Sequence, residues 1–156
     1  MNTMNTKPVK LNQLSTLSTT RTRGLGRLAH DCQAILSTIF KNLIDSLDYW
    51  ETILSKQRYL CGNQLTQADI CLFTTLYCFD SVYYVLFKCN LRRILDYPNL
   101  WNYLKDLYQH PGFKVTCNLD YTKRAYYMSM TEINPNRIVP KGPIVDFDEI
   151  HDRVRL

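Results

Sequence analysis

The sequence predicts an all-α domain: a bundle of about five helices followed by an extended C-terminal tail. Three observations lead there. Apolar residues recur at steps of three and four over long stretches. Glycine occurs only five times in 156 residues, whereas a sandwich or barrel needs many tight turns. And the segment Leu65-Thr66-Gln67-Ala68-Asp69-Ile70 carries a full helix-start signal. A chain of this length with 46% hydrophobic residues can bury one real core.

Residues 1–30 contain Lys7, Lys10, Arg21, Arg23 and Arg27 and no acid. They hold five of the 19 basic residues, so the other 126 residues carry 14 basic and 14 acidic groups and are neutral. A neutral folded part has no general electrostatic reason to bind nucleic acid. Residues 1–30 show no helical or strand period and read as a disordered basic extension. Their Ser, Thr, Asn and Arg content also fits an organelle transit peptide. The expected location is the cytoplasm, with an organelle as the alternative. No apolar run approaches the roughly 18 residues of a membrane span, and no membrane partner is expected.

Order is expected from Asp31. Ile35, Leu36, Ile39, Phe40, Leu43, Leu47, Trp50 and Leu54 mark the buried stripe of an amphipathic helix of about 25 residues, with Asp45, Asp48 and Glu51 on other faces. Gln57–Leu65 is a connector with a turn signal at Gly62-Asn63. Thr66 is then placed to cap the next helix, its hydroxyl accepting the Asp69 N–H, while Asp69 reaches back to the Thr66 N–H in a capping box. Leu65 and Ile70 are spaced for a hydrophobic staple, and Asp69 favours the helix dipole. Capping alone sets the cost of Asp69→Ala at about 0.5–2 kcal/mol.

The helix from Gln67 to about Cys78 is apolar nearly all round and reads as the buried central helix. Asp80 interrupts the apolar stretch and needs a structural partner if buried. A second run spans Val82–Phe87, in which Tyr83 reads as a core aromatic, and the polar residues from Lys88 to Arg93 mark a helix end. Pro98 suits a first helical position. Leu100, Trp101, Leu104, Leu107 and Tyr108 give the next stripe, which His110-Pro111-Gly112 stops. A short turn at Phe113–Cys117 and a helix from Leu119 to about Met130 follow. The segment from Ile133 to Leu156, with Pro135, Pro140, Gly142 and Pro143, is a tail laid over the domain. The divisions are thus 1–30, 31–132 and 133–156, with His30 and His151 in mobile segments.

The six cysteines, Cys32, Cys61, Cys71, Cys78, Cys89 and Cys117, include no C-x-x-C pair. They read as buried reduced thiols, with Cys61 the more exposed, and no metal site is expected. No Ser/His/Asp set or glycine-rich phosphate loop is visible.

A long amphipathic helix followed by a helix opened with Thr66 and Asp69 resembles the C-terminal domain of glutathione transferases. Longer matches narrow the class. Arg58-Tyr59-Leu60 with Gly62-Asn63-Gln64-Leu65-Thr66-Gln67-Ala68-Asp69-Ile70 resembles the glutathionyl-hydroquinone reductases, the Xi-class or omega-like transferases. So do Phe79-Asp80 with Val82-Tyr83, Phe87-Lys88-Cys89, Tyr97-Pro98-Asn99-Leu100 and Tyr108-Gln109 with Pro111-Gly112. The tail Ile133-Asn134-Pro135 with Ile138-Val139-Pro140-Lys141-Gly142-Pro143 resembles that class most specifically. Where the class carries small residues after Asn-Pro, often Thr-Gly, this chain has Asn136-Arg137.

The resemblance implies thiol transfer. A Cys thiolate attacks the thioether sulfur of a glutathionyl-hydroquinone, the hydroquinone leaves, and a second glutathione resolves the enzyme–glutathione mixed disulfide. The thioredoxin-like half that holds glutathione and the catalytic Cys has no counterpart in residues 1–31, so the chain is expected to be inactive alone. Its helical half would supply the substrate side. Tyr126 matches the family Tyr that hydrogen-bonds a hydroquinone oxygen, with Tyr127 the candidate if the register slips. Glutathione as cosubstrate, a hydroquinone-type small molecule and a homodimer through the helical domain are the implied partners, and an exposed covering face is expected to drive association. The alternative function is a non-catalytic interaction module.

Overall fold

The computed structural model describes residues 27–155, and side chains from Thr38 to Val154. The chain divides into two units at Ile35/Leu36. Of the first, the described part is the helical segment 27–35; the expectation of disorder for residues 1–26 lies outside the described residues. The second unit runs from Leu36 to the end of the chain and contains the hydrophobic core.

All regular structure among the described residues is helical, as the periodicities require. Helix α1 spans Arg27–Leu54, α2 Gln67–Cys78, α3 Tyr84–Leu86, α4 Pro98–Gln109, α5 Pro111–Lys114 and α6 Leu119–Ser129. The first helix begins at Arg27, earlier than the expected Asp31. Between α2 and α3, Phe79–Tyr83 winds as a π-helical turn, so Asp80 does not break the helix. Its carboxylate accepts the N–H groups of Ile94 (2.7 Å) and Leu95 (3.1 Å) and is thereby partnered. Burial nonetheless raises the Asp80 pKa, the two backbone donors only partly offsetting it.

The run Gln67–Leu86 is one helical stretch of 20 residues, long and apolar enough to cross a membrane by length and composition alone. The sequence places a break at Asp80 and so does not predict a stretch of this length. Phe73, Leu76, Tyr77, Phe79 and Val82 of this stretch are buried, in clusters shared with residues of α1, α4 and α6.

The expected assignment of the central helix is corrected. On α2, Ile70, Cys71 and Thr74 are exposed. It is α4 that is enclosed on most sides: Leu100, Trp101, Tyr103, Leu104, Lys105, Asp106 and Leu107 are all buried. Leu47 and Leu54 of α1 and Phe73, Leu76 and Tyr77 of α2 join them in one core, each fully buried large apolar side chain contributing about 1.5–3 kcal/mol. The polar side of α4 is covered because Arg58 pairs with Asp106 at 2.9 Å through two parallel hydrogen bonds and because the tail crosses it. Lys105 donates to the Ile150 carbonyl at 3.1 Å, and Gln109 donates to those of Phe147 and Glu149 at 2.9 and 2.8 Å. His151, expected in a mobile segment, is instead held: its Nδ1 accepts the Arg153 N–H at 3.3 Å and its Nε2 lies 3.6 Å from Asp106.

Two local signals behave as the sequence requires. Gly62 sits at φ +103°, left-handed backbone that only glycine adopts without strain, and closes a tight turn with Tyr59 by bonds of 2.8 and 3.2 Å. Pro98 opens α4 at its first turn. The α4 N-terminus, however, is capped from a distance. Glu51 of α1 accepts the N–H groups of Asn99 (2.9 Å) and Leu100 (2.8 Å), which ties two helix axes together where an exposed side chain was expected.

Asn136-Arg137, where the tail departs from the class pattern, coincides with local strain: Arg137 has φ 52°. A residue with a Cβ pays about 1–2 kcal/mol there, and glycine does not. Arg137→Gly is therefore expected to raise stability by about 0.5–1 kcal/mol once glycine's greater freedom in the unfolded chain is deducted. An unchanged or lower urea midpoint would refute it.

Candidate functional site

The site is built on α6 and on the π-helical turn that faces it. Asn118 caps α6, its side chain accepting the Tyr121 N–H at 2.9 Å. Tyr127 and Lys123, one turn apart, are the inward residues of α6. Tyr127 is 3% exposed and its hydroxyl donates to the Ser81 carbonyl at 3.2 Å, so helix and π turn are bonded together. The Lys123 ammonium donates to the carbonyls of Lys141 (2.7 Å) and Gly142 (3.3 Å). Asn134 donates to those of Tyr127 (2.8 Å) and Ile138 (3.0 Å). These bonds fasten residues 134–142 of the tail along α6 and bring Val139 against the same cluster.

Tyr126, one residue before Tyr127 on this clamped helix, is half-buried. Its ring meets the rings of Tyr83 and Phe87 edge-on, with centroids 6.1 and 6.3 Å away and interplanar angles of 79° and 83°. Tyr83 and Phe87 are themselves in contact at 5.5 Å. Tyr83, which the sequence suggested as core, is half-buried, and burial, followed by its neighbour Tyr126, pushes its phenol pKa well up, so it stays protonated across the physiological range. The result is a half-open aromatic wall of three rings with Val139 at its edge, in edge-to-face geometry that aromatic pairs prefer.

Of the two candidate ligand residues, Tyr127 is therefore committed to the core through Ser81, whereas Tyr126 is only half-buried. Thr66 and Asp69 lie at the opposite end of the long helical stretch and take no part. The Asp69 half of the capping box is a 2.8 Å bond from the Thr66 N–H. The Thr66 half is looser than expected: box geometry is present, but the hydroxyl closes no bond with the Asp69 N–H and instead donates to the Asp69 carboxylate at 2.7 Å.

The wall can bind a flat ring and hydrogen-bond its hydroxyl. Among the described residues it brings no activated thiol with it. Cys89 is buried and Cys78 half-buried, and burial raises both thiols to about 11. Cys117 is raised for the same reason. Cys61 and Cys71 are exposed, the latter against expectation, because α2 keeps one open face. No three His, Cys, Asp or Glu side chains among the described residues are grouped to hold a metal. A shallow crevice between Tyr77, Trp101, Leu119, Pro143 and Phe147 does not include Tyr126 and has no room for a small molecule.

Asp106, Lys123 and Arg153 were not singled out by sequence reasoning, and Glu51 and Arg58 were named without the contacts they make. Each acts across a separation in sequence that no local pattern encodes.

Comparison with known proteins converges on one family. Residues 33–106 match the model of the glutathione S-transferase C-terminal domain. The chain is 50% identical over 111 residues to the glutathionyl-hydroquinone reductase YqjG of Escherichia coli, a match covering 71% of this chain and 34% of that protein. It is 48% identical over 104 residues to the glutathionyl-hydroquinone reductase PcpF of Sphingobium chlorophenolicum, covering 67% and 33%. The glutathione-bound structure of YqjG superposes with a TM-score of 0.77 at 46% identity, over 80% of this chain and 41% of that one. A Xi-class transferase from Natrialba magadii superposes with a TM-score of 0.75 at 43% identity, over 77% and 37%. The chain thus spans about a third of the length of these curated relatives.

Proposed function

We propose that this chain, which carries a glutathione S-transferase C-terminal domain, is the substrate side of a glutathionyl-hydroquinone reductase. The observation that carries this reading is Tyr126, half-open on an aromatic wall in a domain half identical to such a reductase. A hydroquinone ring stacks against or meets the edges of Tyr83, Phe87 and Tyr126, and the Tyr126 hydroxyl exchanges a hydrogen bond with a ring oxygen, helping its change of protonation. The thiolate that takes the glutathionyl group, and the main glutathione contacts, come from outside the described residues, since the thiols described here are raised, or placed away from the wall. On this reading the chain alone turns over no glutathionyl-hydroquinone. Homodimerisation through the helical domain and a cytoplasmic location belong to the same proposal.

The test is hydroquinone binding by the whole chain and by Tyr126→Phe, which keeps the ring and removes the hydroxyl. Loss of one hydrogen bond is expected to weaken binding about three- to tenfold while the melting midpoint is kept. Equal binding by the two proteins, or no binding by either, would overturn the assignment. Turnover by the unaided chain that a Cys-to-Ser change abolishes would overturn the division of labour.

A further inference from the structure

Val139 of the tail adjoins the aromatic wall, and the chain is fastened on either side of it. Of the tail's aliphatic side chains, Ile133, Ile138, Ile144 and Ile150 are exposed. Val139 is instead half-buried and packs against the cluster of Val82, Leu86 and Tyr127, on which Tyr83, Phe87 and Tyr126 also lie. Its opposite direction from Ile138 is the alternation of an extended chain. On the N-terminal side the chain turns at Asn134–Arg137, where the Arg137 N–H donates to the Asn134 carbonyl at 3.0 Å. The Asn134 side chain then holds the carbonyls of Tyr127 (2.8 Å) and Ile138 (3.0 Å). On the C-terminal side the ammonium of Lys123, a lysine only 7% exposed, donates to the carbonyls of Lys141 (2.7 Å) and Gly142 (3.3 Å). Between these anchors Pro140 confines Val139 to extended backbone, and its branched side chain is stiff at χ1.

We propose that Val139 is a specificity-determining residue: it bounds the ring site on the side of the tail and limits the substituents that a hydroquinone ring carries there. The inference rests on the proposed ring site at Tyr126. A ring laid on Tyr83, Phe87 and Tyr126 has Val139 at the edge of its platform. A branched substituent on that side meets two methyl groups whose backbone is pinned and gives way little. One methyl group more or less in an apolar pocket changes affinity about tenfold or more. Lys123 is then a positioning residue: from α6 it fixes the segment that carries Val139 without touching the ring.

The experiment titrates the full chain with 1,4-hydroquinone and with tert-butylhydroquinone and reads the ratio of the two affinities in the wild type, Val139→Ala, Val139→Ile and Lys123→Met. A ratio is unmoved by a general loss of stability, which lowers both affinities together. Val139→Ala is expected to shift the ratio about tenfold towards the substituted ring, with the plain ring bound as in the wild type. Val139→Ile, one methylene larger, is expected to shift it the other way. Lys123→Met keeps the length of the side chain and removes the anchor, and is expected to shift the ratio in the direction of Val139→Ala. If Val139→Ala does not fold, Val139→Ile decides the sign by itself. A wild-type chain that binds neither ring overturns the ring site at Tyr126. A wild-type chain that binds hydroquinone, with a ratio unchanged in the Val139 variants, overturns the role of Val139 alone. A ratio that moves with Val139 and ignores Lys123→Met overturns the positioning role of Lys123.

Discussion

Asp69→Ala is expected to destabilise the domain by about 3–5 kcal/mol, beyond the roughly 0.5–2 kcal/mol of a surface cap. The reason is burial together with the number of donors. Asp69 is 0% exposed. Its Oδ1 accepts the Leu60 N–H at 2.9 Å and the Tyr103 hydroxyl at 2.8 Å. Its Oδ2 accepts the Thr66 N–H at 2.8 Å and the Thr66 hydroxyl at 2.7 Å. One carboxylate thus joins the connector after α1, the start of α2 and the middle of α4. Alanine strands these donors, at about 1–3 kcal/mol for each that stays buried, and the Tyr103 hydroxyl has no access to water. Urea unfolding measures it; a midpoint shift equivalent to about 1 kcal/mol or less would show that the domain relaxes around the loss. Burial alone would raise the Asp69 pKa, but the Leu60, Thr66 and Tyr103 donors outweigh it and hold the carboxyl below its usual range. A depressed folded pKa means that the contribution is fully present above the unfolded value near pH 3.9 and is lost as pH falls through the folded one. Asp69→Ala should therefore lose this part of the acid transition. Asp80 works with the opposite sign, since its pKa is raised: its contribution falls as pH rises from the unfolded value towards the folded one.

Arg153→Ala is expected to cost about 2–4 kcal/mol. Arg153 is 0% exposed although it lies near the end of the chain. Its guanidinium donates to the carbonyl of Leu54, the last residue of α1, and to those of Gln57 (2.6 Å) and Arg58 (2.7 Å). It thereby satisfies the carbonyls left over where a helix ends and places positive charge at the negative end of the helix dipole. Removing it leaves those carbonyls covered but unpaired and empties a volume the size of a long side chain. It should also release the tail, so that limited proteolysis cuts between residues 144 and 150 faster than in the wild type. Arg153→Lys should recover only part of the loss, because an ammonium cannot reproduce the planar fork that reaches several carbonyls at once. A melting midpoint unchanged in Arg153→Ala would refute the clamp.

The main elements could be read from the sequence because their causes are local. The period of Leu43, Leu47, Trp50 and Leu54 makes α1 amphipathic. Thr66 and Asp69 start α2, Pro98 starts α4, His110-Pro111-Gly112 ends it, and the prolines after Ile133 forbid a helix there. The tail's motif and Arg58–Ile70 pointed to the transferase family, which the comparisons bear out.

What local pattern could not supply is how these pieces use one another. Hydrophobicity made α2 look central, yet α4 is, because Arg58 and the tail cover Lys105 and Asp106, residues that would face water on an isolated helix. Asp69 read as a cap and is a three-way junction; Glu51 read as a surface acid and caps a helix 48 residues away. Tyr126 matched the family position and Tyr127 stood beside it in case of a register slip; the sequence could not show that the π turn's Ser81 carbonyl takes the Tyr127 hydroxyl while Tyr126 stays half-buried. Sequence by itself determines where backbone hydrogen bonds repeat, since that depends on residues three and four apart. Which polar side chain is buried, and which phenol is tied to a distant carbonyl, depends on partners far along the chain, and only the packed tertiary structure brings those together.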